Sequence, residues 1–256
     1  MPGTSGSSGE IVRLRGVGVS YPGGTAIDGV DLAVRSGERV ALVGPSGAGK
    51  STLLGLCSAG VRADRGDVEV FGRSLAGLGA ADLAGVRRRI GTVHQRLHLI
   101  DRLRVVHNVN AGHLGSWGTW RALGSLVRPR EPEAARAALA RVGIADRLHQ
   151  RTGDLSGGEQ QRVALARVLV QDPDLVLADE PVSSLDPGRA EEVMRLLCET
   201  VATPARTLLV SLHDFDLAVR WCDRVVGLRA GRVLFDLPAA RVDAGLREEL
   251  YSLSGR

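Results

Sequence analysis

Apolar and polar residues alternate over 11–21, and the same period of two resumes over 30–34, so both stretches predict half-buried β-strands. The runs 39–43 and 175–178 are short and unbroken, as strands buried on both faces of a sheet are. Further strands are predicted at 68–71, 90–93, 207–211, 225–228 and 233–235. Helical spacing marks 50–57, 188–198 and 215–221. From Arg96 to about Thr152 helical spacing dominates, with turns at 115–116 and 129–132 and an Ala-rich amphipathic stretch over 133–142. That change of texture predicts a helical subdomain, about 96–170, inserted between two parts of an α/β core. Strands separated by helices argue for a mostly parallel sheet, with an antiparallel β edge region built from the first strands. A last helix is expected over 238–251. No internal repeat is evident.

The 256 residues suit one α/β domain, and 44% hydrophobic with 24% charged residues is ordinary for a globular chain. Aromatics make up only 3%, so Ala, Leu and Val must build most of the core. The net charge of +4 does not choose among nucleic acid, an anionic membrane face and a polyanionic ligand. The densest basic spot, Arg87–Arg88–Arg89, reads as a solvated helix end. The three cysteines, Cys57, Cys198 and Cys222, form no CxxC pair, which argues against a disulfide framework or zinc site and fits a reducing cytosol. No run of eighteen apolar residues is present, so a membrane role would need partners that supply the membrane part. Residues 1–9 are Gly/Ser-rich and read as a flexible leader, with the folded domain over 10–256. Lys50 is the single lysine among 33 Lys and Arg residues. A position that keeps a slim point charge where Arg is otherwise used calls for that shape.

Lys50 ends a Gly-rich run. Gly44, Pro45, Ser46, Gly47, Ala48, Gly49, Lys50, Ser51 and Thr52 match a phosphate-binding P-loop, preceded by a predicted strand and followed by a predicted helix. The glycines let backbone N–H groups approach phosphate oxygens, and the following helix offers its positive end to the same anion. Lys50 would reach the β- and γ-phosphates, and the Ser51 hydroxyl would ligate Mg²⁺. The strand at 175–178 runs into Asp179 and Glu180, at the strand end where α/β folds bind ligands. Asp179 suits a metal held through water, and Glu180 suits polarising an attacking water. Ser156, Gly157, Gly158 and Glu159 open another helix. Ser156 and Glu159 alone would make a capping box, but the paired glycines suit a second anion cradle. One nucleotide does not need two cradles from one chain, so the second is expected to serve ATP held by another copy.

With these elements in this order the chain resembles the ATP-binding subunits of ABC transporters over residues 10–236. The resemblance implies that Tyr21 stacks on adenine and that Gln95 links the metal site to the helical subdomain, making the metal set Ser51, Gln95 and Asp179. It implies that Ser184 and Asp186 form the D-loop and that His213 contacts the γ-phosphate. It implies ATP and Mg²⁺ as cofactors, with Glu180, His213 and Gln95 as the catalytic set. It further implies a homodimer, integral-membrane permease subunits, a substrate-binding protein engaged indirectly, and a place on the cytoplasmic face of the cell membrane. No nucleic-acid partner is expected. The segments 108–115, 119–121, 181–187, 211–218 and 222–232 are similar to phosphonate-importer ATPases, although none of their residues is expected to touch a phosphonate. His94 stands where a Phe is more usual, and Glu159 where a Gln is common. An exporter or cell-division ATPase, and a DNA-repair ATPase, share the cassette and are the alternatives.

Overall fold

The computed structural model describes residues 9–95, 97–115, 132–183, 185–202 and 206–252. Residues 1–8 of the expected leader, Arg96, the expected turn residues Ser116 and 129–131, the stretch 119–121 and Ser184, expected in the D-loop, lie outside the described residues.

The alternating N-terminal segments form a hairpin, β1 (Glu10–Tyr21) and β2 (Gly24–Arg35), with Tyr21 paired to Gly24 at its tip. β2 begins before the predicted 30–34, because ladder pairing with the long β1 carries its small and polar first half into the sheet. β1 also pairs antiparallel with β4 (Arg65–Val70), and β5 (Arg73–Ser74) completes a four-stranded sheet in the order β2-β1-β4-β5.

The second sheet has six strands in the order β10-β9-β3-β8-β7-β6. Its members are β3 (Arg39–Val43), β6 (Ile90–Val93), β7 (Leu175–Asp179), β8 (Thr207–Leu212), β9 (Arg224–Arg229) and β10 (Arg232–Pro238). All neighbours are parallel except β10, which runs antiparallel on the edge. The fold is thus α/β with a mostly parallel sheet and an antiparallel β region beside it.

Alternate residues of the unbroken runs point to opposite faces, and each face has its own core. Val40 and Leu42 join Leu14 and Ile27 of the hairpin and Leu53 and Leu56 of α1 (Lys50–Cys57). Ala41 and Val43 face the other core, with Val163 and Leu165 of α5 (Gly157–Gln171) and Met194 and Leu197 of α6 (Pro187–Thr200). Burial on both sides is why no polar residue interrupts β3.

α2 (Ala80–Arg88) ends in the basic triplet, where Arg89 pairs with Asp174 at 2.6 Å and covers the Phe71 ring. α3 (Val105–Asn110) and α4 (Pro132–Arg141) pack on α5, forming the helical region. The buried Asn108 side chain accepts from the Ile100 N–H and donates to the Ile100 carbonyl and to Thr152 Oγ1, so it staples the loop that enters this region. α7 (Phe215–Trp221) follows β8. The last helix, α8 (Ala244–Tyr251), is shorter than the 238–251 window, because Pro238 closes β10 and Asp243 caps the helix by accepting from the Leu246 N–H.

Candidate active site

β3, β8 and β7 lie side by side, with Val43 opposite Leu212 and Asp179 opposite Ser211. Their carboxyl ends are therefore level, and the residues just beyond them meet although they are far apart in sequence. β3 delivers residues 44–52, β7 delivers Asp179 and Glu180, and β8 delivers His213.

The P-loop is a strained turn that glycine makes possible. Gly44 has φ 153, and a Cβ there would lie 2.1 Å from the Leu228 carbonyl oxygen; Gly49 has φ 103, with the Ala26 carbonyl 2.5 Å from its Cβ position. Both approaches are backbone to backbone, so no side chain can yield. Gly231 N–H donates to the Ala48 carbonyl, and Asp28 N–H to the Gly231 carbonyl, which ties the loop to the hairpin. Tyr21, at the hairpin tip, is 48% exposed. α1 has no side-chain cap and no acid of its own in its first turn, so no carboxylate of the helix itself takes its N-terminal donors.

The Lys50 ammonium is buried, donating to the Gly44 carbonyl at 2.8 Å and the Pro45 carbonyl at 3.1 Å. It lies 3.9 Å from Glu180 Oε1. Burial lowers its pKa, and the Glu180 and Asp179 carboxylates pull it back up. Ser51 Oγ donates to Asp179 Oδ1 at 3.0 Å. Glu180 sits in the left-handed region at φ 47, a conformation that costs a non-glycine residue about 1–2 kcal/mol. The His213 Nε2 lies 2.5 Å from Glu180 Oε1.

A residue not singled out for this site links these groups. Ser211 is fully buried in β8; its hydroxyl donates to Asp179 Oδ1 at 2.7 Å and accepts the Glu180 N–H at 2.8 Å. One hydroxyl thus fixes both acids. Its signal in the sequence is a polar residue inside the otherwise apolar end of a buried strand.

The remaining candidates are held by other partners. Gln95 is exposed after β6, and its amide donates to Ser183 Oγ at 3.1 Å. Among the described residues no hydrogen bond or ion pair joins it to Ser51 or Asp179. Asp186 caps α6, accepting from the Arg189 N–H at 3.1 Å, with Pro187 in the first turn. Ser156 and Glu159 form a full capping box at the start of α5: Ser156 N–H reaches Glu159 Oε2 at 2.9 Å, and Glu159 N–H reaches Ser156 Oγ at 3.3 Å. The backbone and hydroxyl of Ser156, then Arg147, hold the Glu159 carboxyl below its ordinary range. Apart from their chain neighbours and their own helix backbone, nothing lies within 4 Å of the Cβ positions of Gly157 and Gly158, so their outer face is open. The cleft beside them is lined by Arg147, Leu185, Arg189 and Glu192 and includes none of Lys50, Asp179 or His213.

Hard oxygen donors 3.0 Å apart, the Ser51 hydroxyl and the Asp179 carboxylate, suit a magnesium ion that keeps much of its water shell.

A family model for the ABC transporter matches residues 27–183. The chain is 48% identical over 241 residues to the phosphonates import ATP-binding protein PhnC 1 of Cupriavidus necator, covering 94% of this chain and 86% of that protein. It is 48% identical over 243 residues to the phosphonates import ATP-binding protein PhnC of Anaeromyxobacter dehalogenans, covering 95% of this chain and 48% of that protein. The chain therefore spans about half the length of that relative. Among solved structures, the dimeric post-hydrolysis state of the ATP-binding cassette MJ0796 bound to ADP and Pi superposes with a TM-score of 0.75 at 29% identity, covering 89% of this chain and 98% of that one.

Proposed function

The chain belongs to the ABC transporter family, and we propose that it is the Mg²⁺-dependent ATP-hydrolysing subunit of a phosphonate importer, working as a homodimer on the cytoplasmic face of the cell membrane. The observation that carries this is the meeting of Lys50, Ser51, Asp179, Glu180 and His213 at the level ends of three adjacent strands. That grouping supplies a cation for phosphate, hard oxygens for a metal, and an acid–imidazole pair for water.

In this reading the amides of residues 44–52 and the first turn of α1 bind the phosphates, and Tyr21 stacks on adenine. Lys50 is already drawn into the loop by its own carbonyls, so it meets the β- and γ-phosphates with little reorganisation. Ser51, Asp179 and Gln95 would hold Mg²⁺, which when bound neutralises phosphate charge. For Gln95 this means leaving Ser183. Glu180 orients the attacking water, and His213, beside it, contacts the γ-phosphate and steadies the transferring phosphoryl group. Positioning and charge supply most of the rate.

Ser156, Gly157 and Gly158 lie apart from this cluster within one chain and present an open face, which supports their serving the nucleotide of a second copy. Ser184 and Asp186 would cross between the copies. The dimeric ADP-bound cassette among the similar structures supports the same arrangement. No helix among the described residues is long and apolar enough to cross a membrane, so transport needs integral-membrane permease subunits, fed by a substrate-binding protein. The helical region over about 96–170 is the proposed seat for those subunits. The phosphonate assignment is supported by the names of the relatives and by the similar segments around 108–115 and 211–232.

The test is Glu180→Gln. The variant is expected to bind ATP, to shift from monomer to dimer with ATP in size-exclusion chromatography, and to turn over at a small fraction of the parent rate. Hydrolysis at the parent rate would refute the role of Glu180. Reconstitution with the permease and binding protein should give ATPase stimulated by alkylphosphonates; stimulation by another solute alone would redirect the substrate class.

A further inference from the structure

α8 ends beside the site, and its last residue reaches into it. Tyr251 packs its half-buried ring against the core next to the fully buried Leu250. Its hydroxyl donates to the His213 carbonyl at 3.1 Å. Burial raises the phenol's pKa, and the backbone amide of Gly44, the first P-loop residue, acts on the same oxygen in the opposite direction. The phenol thus holds the main chain at the carboxyl end of β8, the strand beside the one that Glu180 follows.

The helix that carries it is held on two sides. Arg229, at the end of β9, donates to the Glu249 carbonyl at 2.6 Å and to the Ser252 carbonyl at 2.9 Å. Arg247 lies 3.5 Å from Asp216 on α7 and faces the Phe215 ring. Downstream of His213, Asp214 caps α7 by accepting from the Asp216 and Leu217 N–H groups. Upstream, Leu212 is locked in the sheet opposite Val43. His213 is thus the one residue between strand and cap, and its carbonyl is fixed by a side chain from another element.

We propose that Tyr251 is a positioning residue for ATP hydrolysis, anchoring the His213 backbone so that the imidazole keeps its place over Glu180. The inference rests on the role given to His213 above. The phenol acts through the histidine, whose carbonyl it holds.

The experiment is Tyr251→Phe in the full chain, which keeps the ring and removes the oxygen. Steady-state assays with Mg-ATP should show kcat lowered about 3- to 10-fold, the range expected for one lost hydrogen bond in a positioned loop, with KM within about twofold. In single-turnover assays Tyr251→Phe should add no further loss in a His213→Ala background. An unchanged kcat, a KM that rises as kcat falls, or an additive loss in the double variant would each overturn the proposal. Parent-level turnover in His213→Ala alone would instead overturn the reading of His213.

Discussion

Replacing Ser211 by Ala isolates the strut beneath the two acids. The change is nearly isosteric and leaves almost no cavity, so its effect reports hydrogen bonding. It removes the 2.7 Å bond to Asp179 Oδ1 and strands the Glu180 N–H, which now has its partner at 2.8 Å. A bond to a carboxylate contributes about 1.5–3 kcal/mol, and an orphaned, partly buried N–H costs about 1 kcal/mol. Together they predict about 2.5–4 kcal/mol of lost stability, or a thermal midpoint lower by roughly 5–15 °C for a domain of this size. The same loss frees Asp179 to turn from Ser51 and lets Glu180 leave its left-handed conformation. ATPase turnover should therefore fall about tenfold or more, and half-saturation by Mg²⁺ should move to higher concentration. Differential scanning calorimetry and a Mg²⁺ titration of the ATPase check both arms. A midpoint within about 2 °C of the parent, together with an unchanged Mg²⁺ dependence, would refute the reasoning.

Lys50→Ala removes the buried charge at the P-loop and should weaken ATP affinity about 100-fold or more, read by titration of a fluorescent analogue; unchanged affinity would contradict the phosphate role. Gly44→Ala forces a Cβ to within 2.1 Å of the Leu228 carbonyl at φ 153, so β3 and β9 must part. Its urea midpoint should fall by the equivalent of about 3 kcal/mol or more, and a near-parent midpoint would show that the loop relaxes. Asp223 accepts three bonds from Arg39, from Nε at 3.0 Å, Nη2 at 2.6 Å and the backbone N–H at 3.1 Å, and these hold its carboxyl below the ordinary range. A lowered folded value means stabilisation that is complete above about pH 4 and lost as pH falls through the folded pKa. The gap in urea midpoint between the parent and Asp223→Asn should therefore close as pH drops from 5 to 3; a gap that widens would reverse the sign.

Local pattern carried much of the architecture in this chain. The bounds 39–43, 50–57, 90–93 and 215–221 read from hydrophobic spacing coincide with β3, α1, β6 and α7, because each is a self-contained apolar run with a break at either end. The Gly-rich turn before α1 was legible for the same reason: the whole pattern lies within nine consecutive residues. β2 and α8 were less legible, since ladder pairing lengthened one and a proline with an aspartate cap shortened the other.

The assembly of the site was decided only by tertiary structure. Sheet order β3-β8-β7 is not sequence order, and it brings Ser51, Asp179 and His213 to one place from three distant segments. Nothing local says that the Ser211 hydroxyl serves two acids, or that Tyr251 meets the carbonyl of His213 across 38 positions of chain. Those contacts depend on which strand ends are level and where a helix docks. Such geometry follows from packing two cores against one sheet, and spacing along the chain does not encode it.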